Sequence, residues 1–111
     1  MPIEVRGSEH FLEELKLFLM DQFTKRGYMQ GPKVSSRDSG VTVNFTKGDL
    51  IVTVHIKEED ESSLMYVEAE QEIPELADIW DEAIITYGKD LLTRLRGFSI
   101  NKDRIDQAFK S

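Results

Sequence analysis

The stretch VTVNFTKGDLIVTVHIK, residues 41–57, decides the fold class of this chain. β-Branched and aromatic residues alternate with polar ones on both sides of a glycine-containing turn, which is the pattern of a β-hairpin. A two-residue loop at Lys47-Gly48 pairs Thr46 with Asp49, and it places the apolar side chains on one face. The apolar pairs are then Phe45 with Leu50, Val43 with Val52 and Val41 with Val54. A three-residue loop would mix the faces, so we predict the two-residue loop.

A third antiparallel strand is predicted after the hairpin, beyond an acidic loop at Glu58–Ser63. The sequence LMYVEAE, residues 64–70, alternates again, with apolar side chains at every second position. Met65, Val67 and Ala69 point to one face of the sheet. The opposite face is expected to carry Thr42, Asn44, Ile51, Thr53, His55, Tyr66, Glu68 and Glu70.

Amphipathic helices flank these strands. Ser8 is a candidate N-cap for the first helix, and Gly27 lies where a C′ glycine belongs. The second helix is expected to start near Pro74 and to close at Gly97, with Gly88 as a weak point inside it. Apolar residues recur at helical spacing at Phe11, Leu12, Leu15, Phe18, Leu19 and Phe23, and at Leu76, Ile79, Trp80, Ala83, Ile84, Tyr87, Leu91 and Leu95. A short third helix, capped by Asn101, would present Ile105, Ala108 and Phe109.

Together these elements predict a single α+β domain over residues 1–111. The order is helix, three strands, helix, helix, and the three-stranded antiparallel sheet is expected to have the helices packed on one face. Residues 28–40 are rich in Gly, Pro and Ser and indicate a loop, with a short strand at Lys33–Ser36 as the alternative. The chain has no cysteine, which excludes disulfides and thiol catalysis. Without a signal peptide or a membrane-spanning apolar run, the expected compartment is the cytoplasm.

No residues with the spacing of a catalytic or ligand-binding motif are found. The phosphate-binding patterns GxxxxGK[ST] and GxGxxG are absent, and EEDESS, residues 58–63, lacks the alternating acids of a calcium loop. His10 and His55 are the two histidines, and both are expected to be ordinary surface residues. We therefore expect no enzymatic activity, no cofactor and no metal, with a carboxylate-based enzyme as the least favoured alternative.

The predicted element order resembles that of double-stranded RNA-binding domains, but the charge at the second helix is opposite. Those domains hold phosphates with a lysine-rich helix start, whereas this helix begins Glu75-Leu76-Ala77-Asp78. Because phosphate binding draws its affinity from cations, direct binding of nucleic acid is not expected.

The segment Glu58–Glu82 is the strongest functional signal in the chain. It holds eleven acidic residues and no Lys or Arg, in a chain whose formal net charge is −7. Glu75, Asp78 and Glu82 share the outer side of the second helix, where like charges cost roughly 0.2–0.5 kcal/mol per pair. A solvated face that keeps the protein soluble is the ordinary explanation of such a run. A surface built only for solubility would interleave lysines, so we favour a binding role.

We expect the loop, the third strand and the second helix to converge into one negative surface that binds a basic partner. The predicted partner-binding residues are Glu58, Glu59, Asp60, Glu61, Glu68, Glu70, Glu75, Asp78 and Glu82. The partner would be a nucleic-acid-binding protein, a cationic toxin or an effector, which the chain inhibits or sequesters. In size, acidity and element order the chain resembles phage-encoded inhibitors that imitate DNA, including some anti-CRISPR proteins, and this analogy is one of architecture and charge.

A homodimer is the alternative hypothesis. Leu17 and Met20 lie off the apolar stripe of the first helix, and exposed apolar residues on a helix back can form a dimer contact. The chain would then be a structural or chaperone-like interaction module that uses apolar helix faces. Association of that kind is insensitive to salt, whereas binding through the acidic surface weakens steeply as the salt concentration rises.

Overall fold

A computed structural model describes residues 3–35, 40–59 and 61–97 of the 111-residue chain. Within these residues the fold is α+β, and strands and helices are mixed along the chain. The elements are β1 (Ile3–Gly7), α1 (Glu9–Lys25), β2 (Met29–Gln30), β3 (Val34–Ser35), β4 (Val41–Lys47), β5 (Leu50–Glu58), β6 (Ser63–Ala69), α2 (Glu75–Tyr87), α3 (Lys89–Arg94) and β7 (Leu95–Arg96).

All seven of these strands belong to one antiparallel sheet. The strand order is β2-β4-β5-β6-β1-β7, and β3 pairs with β4 next to β2. The predicted three-stranded sheet is therefore wrong in extent, because β4, β5 and β6 are its three strands and four more extend it at both edges. The predicted order of helix, three strands, helix, helix is also wrong, since β1 precedes α1 and β7 follows α3.

The outer edge of β4 is covered by two fragments of two residues each. Met29 of β2 pairs with Thr46, and Val34 of β3 pairs with Thr42. Between the fragments, the Gly31 amide donates to the Asn44 carbonyl at 2.8 Å. The fragment β3 falls within the short strand that was suggested at Lys33–Ser36.

The hairpin of β4 and β5 has a two-residue turn, displaced by one residue from the predicted position. The turn residues are Gly48 and Asp49, so that the predicted pairing with Leu50 is wrong by two residues. The observed pairs on the apolar face are Val41 with Ile56, Val43 with Val54 and Phe45 with Val52. A shift of two residues leaves every side chain on its original face, so the predicted apolar face is retained. Gly48 has φ of 59°, a left-handed value that favours glycine and fixes the turn there.

The first helix is confirmed in its position and its N-cap. Ser8 is the N-cap residue, and its Oγ accepts a hydrogen bond from the Phe11 amide at 3.1 Å. The second helix is shorter than predicted. Gly88, with φ of 82°, ends α2, and α3 and β7 follow in place of a continuous helix to Gly97. The predicted third helix at Asn101, with Ile105, Ala108 and Phe109, lies outside the described residues.

The helices and the sheet enclose one core on the inner face of the sheet. Phe23 of α1 is fully buried and stacks on Phe45 of β4 with ring centroids 4.9 Å apart. The sheet contributes Val5, Val43, Phe45, Val52, Val54, Met65 and Val67 to this core. The helices contribute Leu12, Leu15, Leu19, Phe23, Ile79, Trp80, Ala83, Ile84 and Leu91. The apolar stripes of α1 and α2 therefore pack against the same face.

Candidate partner-binding site

The predicted partner-binding residues separate into two groups at opposite ends of β6. We call Glu58, at the end of β5, and Glu59 and Glu61, in the connection to β6, the turn group. Asp60 lies outside the described residues. The helix-start group, which we define as Glu68, Glu70, Glu72, Glu75 and Asp78, extends from the end of β6 into the start of α2. Its member Glu72 was not among the predicted residues. The strand β6 separates the turn group from Glu70 and the residues that follow it, a distance of roughly 20 Å. The expected convergence into one surface is therefore not observed.

One predicted acid, Glu82, lies outside both groups, further along α2. Glu82 is half-exposed and lies about two turns beyond the start of the helix. Asp81, which adjoins it, is only 5% exposed and contributes no surface charge. The negative charge of the segment is thus spread along β6 and α2 rather than gathered at one point.

In the turn group, Glu59 is paired with cations from two other strands. Its Oε2 accepts from Arg6 Nη1 of β1 at 2.8 Å, and its Oε1 lies 3.8 Å from Lys57 Nζ of β5. The hydrogen bond from Arg6 holds the pKa of Glu59 below its usual range. Leu64 pairs with both Arg6 and Lys57 in the sheet and is 1% exposed, so these long side chains stand on either side of it. Glu59 therefore joins Arg6 and Lys57 in one structural cluster.

The rest of the turn group lines open depressions. Glu58 and Glu61 are exposed, and with Glu9 they border a depression of about 400 Å³. Glu61 also borders a neighbouring depression of about 580 Å³, whose lining includes Arg6. Acid catalysis by a carboxyl group needs a raised pKa, whereas the shift at Glu59 is downward. Among the described residues, no three His, Asp or Glu side chains are placed to hold a metal ion.

In the helix-start group, Glu75 turns toward the protein. Its Oε1 lies 3.6 Å from Lys47 Nζ, which stands 5.5 Å from the centroid of the Tyr28 ring. Glu75 Oε2 and Tyr28 Oη are both buried and make no hydrogen bond of acceptable geometry. Burial, together with the nearby Glu75 carboxylate, raises the pKa of Tyr28. Glu75 thus links the start of α2 to the end of β4.

Three other acids of the helix-start group face solvent. Glu68, Glu70 and Glu72 are exposed, and none of them forms an ion pair within the described part of the chain. Their backbone is held by the turn between β4 and β5. The Glu70 amide donates to the Ile51 carbonyl at 3.2 Å, and Gln71 Nε2 donates to the Asp49 carbonyl at 2.5 Å. These carboxylates are therefore presented on an anchored segment.

A groove with an apolar floor adjoins this segment. It measures about 380 Å³ and lies between the start of β1, the end of β6 and the start of α2. Its apolar lining consists of Ile3, Val67, Ala69, Ile73 and Leu76, and its polar lining of Glu70, Gln71 and Glu72. Sequence reasoning missed the groove because Ile3 belongs to a strand that was not predicted. It also missed Gln71, whose bonds to the hairpin turn have no sequence signature.

Of the residues expected on the outward face of the sheet, Thr42, His55 and Tyr66 lie there in contact with one another. Thr42 Oγ1 lies 2.6 Å from His55 Nδ1, and the His55 ring stacks on Tyr66 with centroids 6.3 Å apart. Lys57 Nζ stands 5.4 Å from the Tyr66 ring centroid. The other histidine, His10, lies 3.2 Å from a carboxylate oxygen of Glu14 on the exposed side of α1.

The apolar back of α1, on which the dimer hypothesis is based, has one exposed residue. Met20 is half-buried and packs against the core. Leu17 is 58% exposed, and single exposed apolar residues are ordinary on protein surfaces. The described surface of α1 thus offers one exposed apolar residue for a homodimer contact, and not an apolar face.

Comparison of the chain with protein-family models, with curated proteins and with solved structures finds no match to any of them. Among the residues that the structure describes, no helix has both the length and the apolar character needed to cross a lipid bilayer.

Proposed function

We propose that the chain is a non-enzymatic binding protein that contacts a basic protein partner through the helix-start group. The observation that carries the proposal is the exposure of Glu68, Glu70 and Glu72 on one short anchored segment, with no cation of the described chain paired to them. Within the helix-start group, Glu75 is engaged by Lys47 and is not counted as part of the contact surface. Glu59, which belongs to the turn group, is engaged by Arg6.

The physics of exposed carboxylates defines the kind of partner. Each exposed ion pair contributes only about 0.2–1 kcal/mol, so affinity requires several cations on the partner. A local field of one sign also speeds encounter with an oppositely charged surface. Proteins that bind nucleic acids display such cations for phosphates, and a cationic toxin or effector would display them too. Occupation of those cations by the helix-start group would inhibit or sequester the partner.

The test compares two charge reversals of equal size at opposite ends of β6. One variant carries Glu70→Lys and Glu72→Lys, and the matched control carries Glu58→Lys and Glu61→Lys. Both are used as tagged full chains to capture partners from lysate at about 0.1 M and about 1 M salt, where the Debye length falls from about 10 Å to about 3 Å.

We expect the wild-type chain and the control to retain a basic partner at low salt and to lose it at high salt. The Glu70/Glu72 variant should lose about 2 kcal/mol of binding free energy, roughly thirtyfold in affinity, since two attractions become repulsions. Equal losses in both variants would show that only net charge matters. Full retention by the Glu70/Glu72 variant would remove the helix-start group from the interface.

A further inference from the structure

We propose that the groove beside Glu70 and Glu72 binds a large apolar side chain from a cationic peptide segment of the partner. Lysine or arginine residues on both sides of that anchor would pair with the two carboxylates. The inference rests on the proposed function, and it names the chemistry of the segment that the partner presents.

The groove is built to receive an apolar side chain. Val67 and Ile73, which line it, are buried at 2% and 7% exposure. Ile3, Ala69 and Leu76 are half-buried there and pack against the core. Since β1, β6 and α2 each contribute to the floor, the groove is formed by ordered elements rather than by one loop. Its volume of about 380 Å³ is near the lower end for ligand sites, about 300 Å³, and suits one or two large side chains.

The rim determines the charge of the occupant. Glu70 and Glu72 line the groove together with its apolar residues, so a ligand that fills it approaches both carboxylates. An apolar ligand without cations would remove these carboxylates from water without pairing them, which is costly. A cationic segment pairs them while its anchor covers the floor. A second copy of this chain is a poorer occupant, because two chains of formal net charge −7 repel one another.

The test uses two synthetic peptides and the full-length, isotope-labelled chain. The first peptide is acetyl-Lys-Lys-Phe-Lys-Lys-amide, and the second has serine in place of phenylalanine. Amide chemical shifts are followed by NMR during titration. The phenylalanine peptide is expected to shift the amides of residues 69–73 and of Leu76, with an affinity about tenfold above that of the serine peptide, because only its ring is buried.

A groove-filling variant provides the internal control. Ala69→Leu is expected to abolish the tenfold difference while leaving the affinity of the serine peptide unchanged, and a thermal melt verifies its fold. The phenylalanine and serine comparison on the wild-type chain does not depend on this variant.

Four other outcomes would each refute the inference, and each would show which part of it is wrong. Equal, salt-sensitive binding of both peptides would refute the groove and leave the proposed function standing. Absence of shifts at the helix-start group with either peptide would remove both. Shifts of the same amides on concentrating the protein alone would assign the groove to a second copy. A larger gain in affinity for the phenylalanine peptide than for the serine peptide after Lys102→Glu and Arg104→Glu would assign the groove to the chain's own C-terminal residues.

Discussion

Replacement of Tyr28 by phenylalanine is predicted to stabilise the protein. Tyr28 is 4% exposed, and its ring packs edge-on against Phe23 at 5.3 Å. Its hydroxyl lies buried beside the Glu75 carboxylate and makes no hydrogen bond of acceptable geometry, a condition that costs about 1–3 kcal/mol. Phenylalanine keeps the ring contacts and removes the hydroxyl. We therefore expect Tyr28→Phe to raise the free energy of unfolding by about 1 kcal/mol at pH 7.

Tyr87 provides the matched control, because its hydroxyl has a partner. Tyr87 Oη donates to the Glu14 carbonyl at 3.3 Å, and its ring meets Phe11 and Phe18 edge-on. The change Tyr87→Phe removes one hydrogen bond and should lower the free energy of unfolding by about 0.5–1.5 kcal/mol. The same substitution is thus expected to raise the free energy of unfolding at the buried Tyr28 and to lower it at the half-buried Tyr87.

The pH dependence of stability gives a second measurement. Burial raises the pKa of Tyr28 and of Tyr87. Above about pH 10 an unfolded tyrosine ionises while the native one stays protonated, so the unfolded state binds fewer protons and stability falls as pH rises. The advantage of Tyr28→Phe should therefore grow above about pH 10. Urea unfolding followed by the fluorescence of Trp80, the one tryptophan of the chain, measures it.

The reasoning fails if Tyr28→Phe lowers stability at pH 7. That result would mean that the hydroxyl and Glu75 form a stabilising hydrogen bond in solution. Glu75 would then be held by two partners, and the tie between the start of α2 and the end of β4 would depend on Tyr28 as well as on Lys47.

Two further predictions concern the turns at opposite ends of the sheet. Gly48→Val should lower the free energy of unfolding, measured by thermal melts, by about 1–2 kcal/mol. The loss would come from backbone strain alone, because φ is 59° and the added Cβ would meet open space. Gly48→Asn should lower it clearly less, and equal losses would contradict this reasoning. Glu59→Gln should lower stability at pH 7 relative to Glu58→Gln. Because Arg6 depresses the pKa of Glu59, its contribution is present above the unfolded pKa of about 4.3 and is lost as pH falls below it; a difference between the two variants that persists in acid unfolding curves would contradict the assignment.

The central hairpin was predictable because its information is local. Alternation over residues 41–57 fixes which side chains face inward, and that face is the one observed. The same alternation cannot fix the position of the strands along each other, since a shift of two residues preserves it. The turn position depends on the left-handed backbone at Gly48, which the apolar pattern does not encode.

The outer strands were missed because their partners are distant in sequence. β1 is five residues long and pairs with β6, so that Ile3 lies opposite Val67. β7 is two residues long and pairs Leu95 with Val5. Strands this short carry little periodic signal, and their pairing depends on the whole sheet. At Gly88, the left-handed backbone ended a helix that the apolar spacing alone would have continued.

The candidate site was only partly predictable for a similar reason. The acidic run marks where negative charge is concentrated, but pairing with cations is decided by tertiary structure. Arg6 reaches Glu59 across 53 positions of sequence, and Lys47 reaches Glu75 from the preceding hairpin. Glu68, Glu70 and Glu72 are left exposed by the same folding. The sequence therefore shows where the acidic residues are, and the fold decides which of them lie beside a cation.

The two fragments that border β4 bear on how the protein behaves when it is crowded. A long strand rich in Val, Thr and Phe with an unpaired edge recruits identical strands and seeds fibrils. Here that edge of β4 is occupied by β2 and β3, and Pro32 between them has no amide hydrogen to offer a newcomer. The sheet thus ends in pieces too short to nucleate polymerisation, which favours a protein that stays dispersed at high concentration while its acidic segment remains accessible.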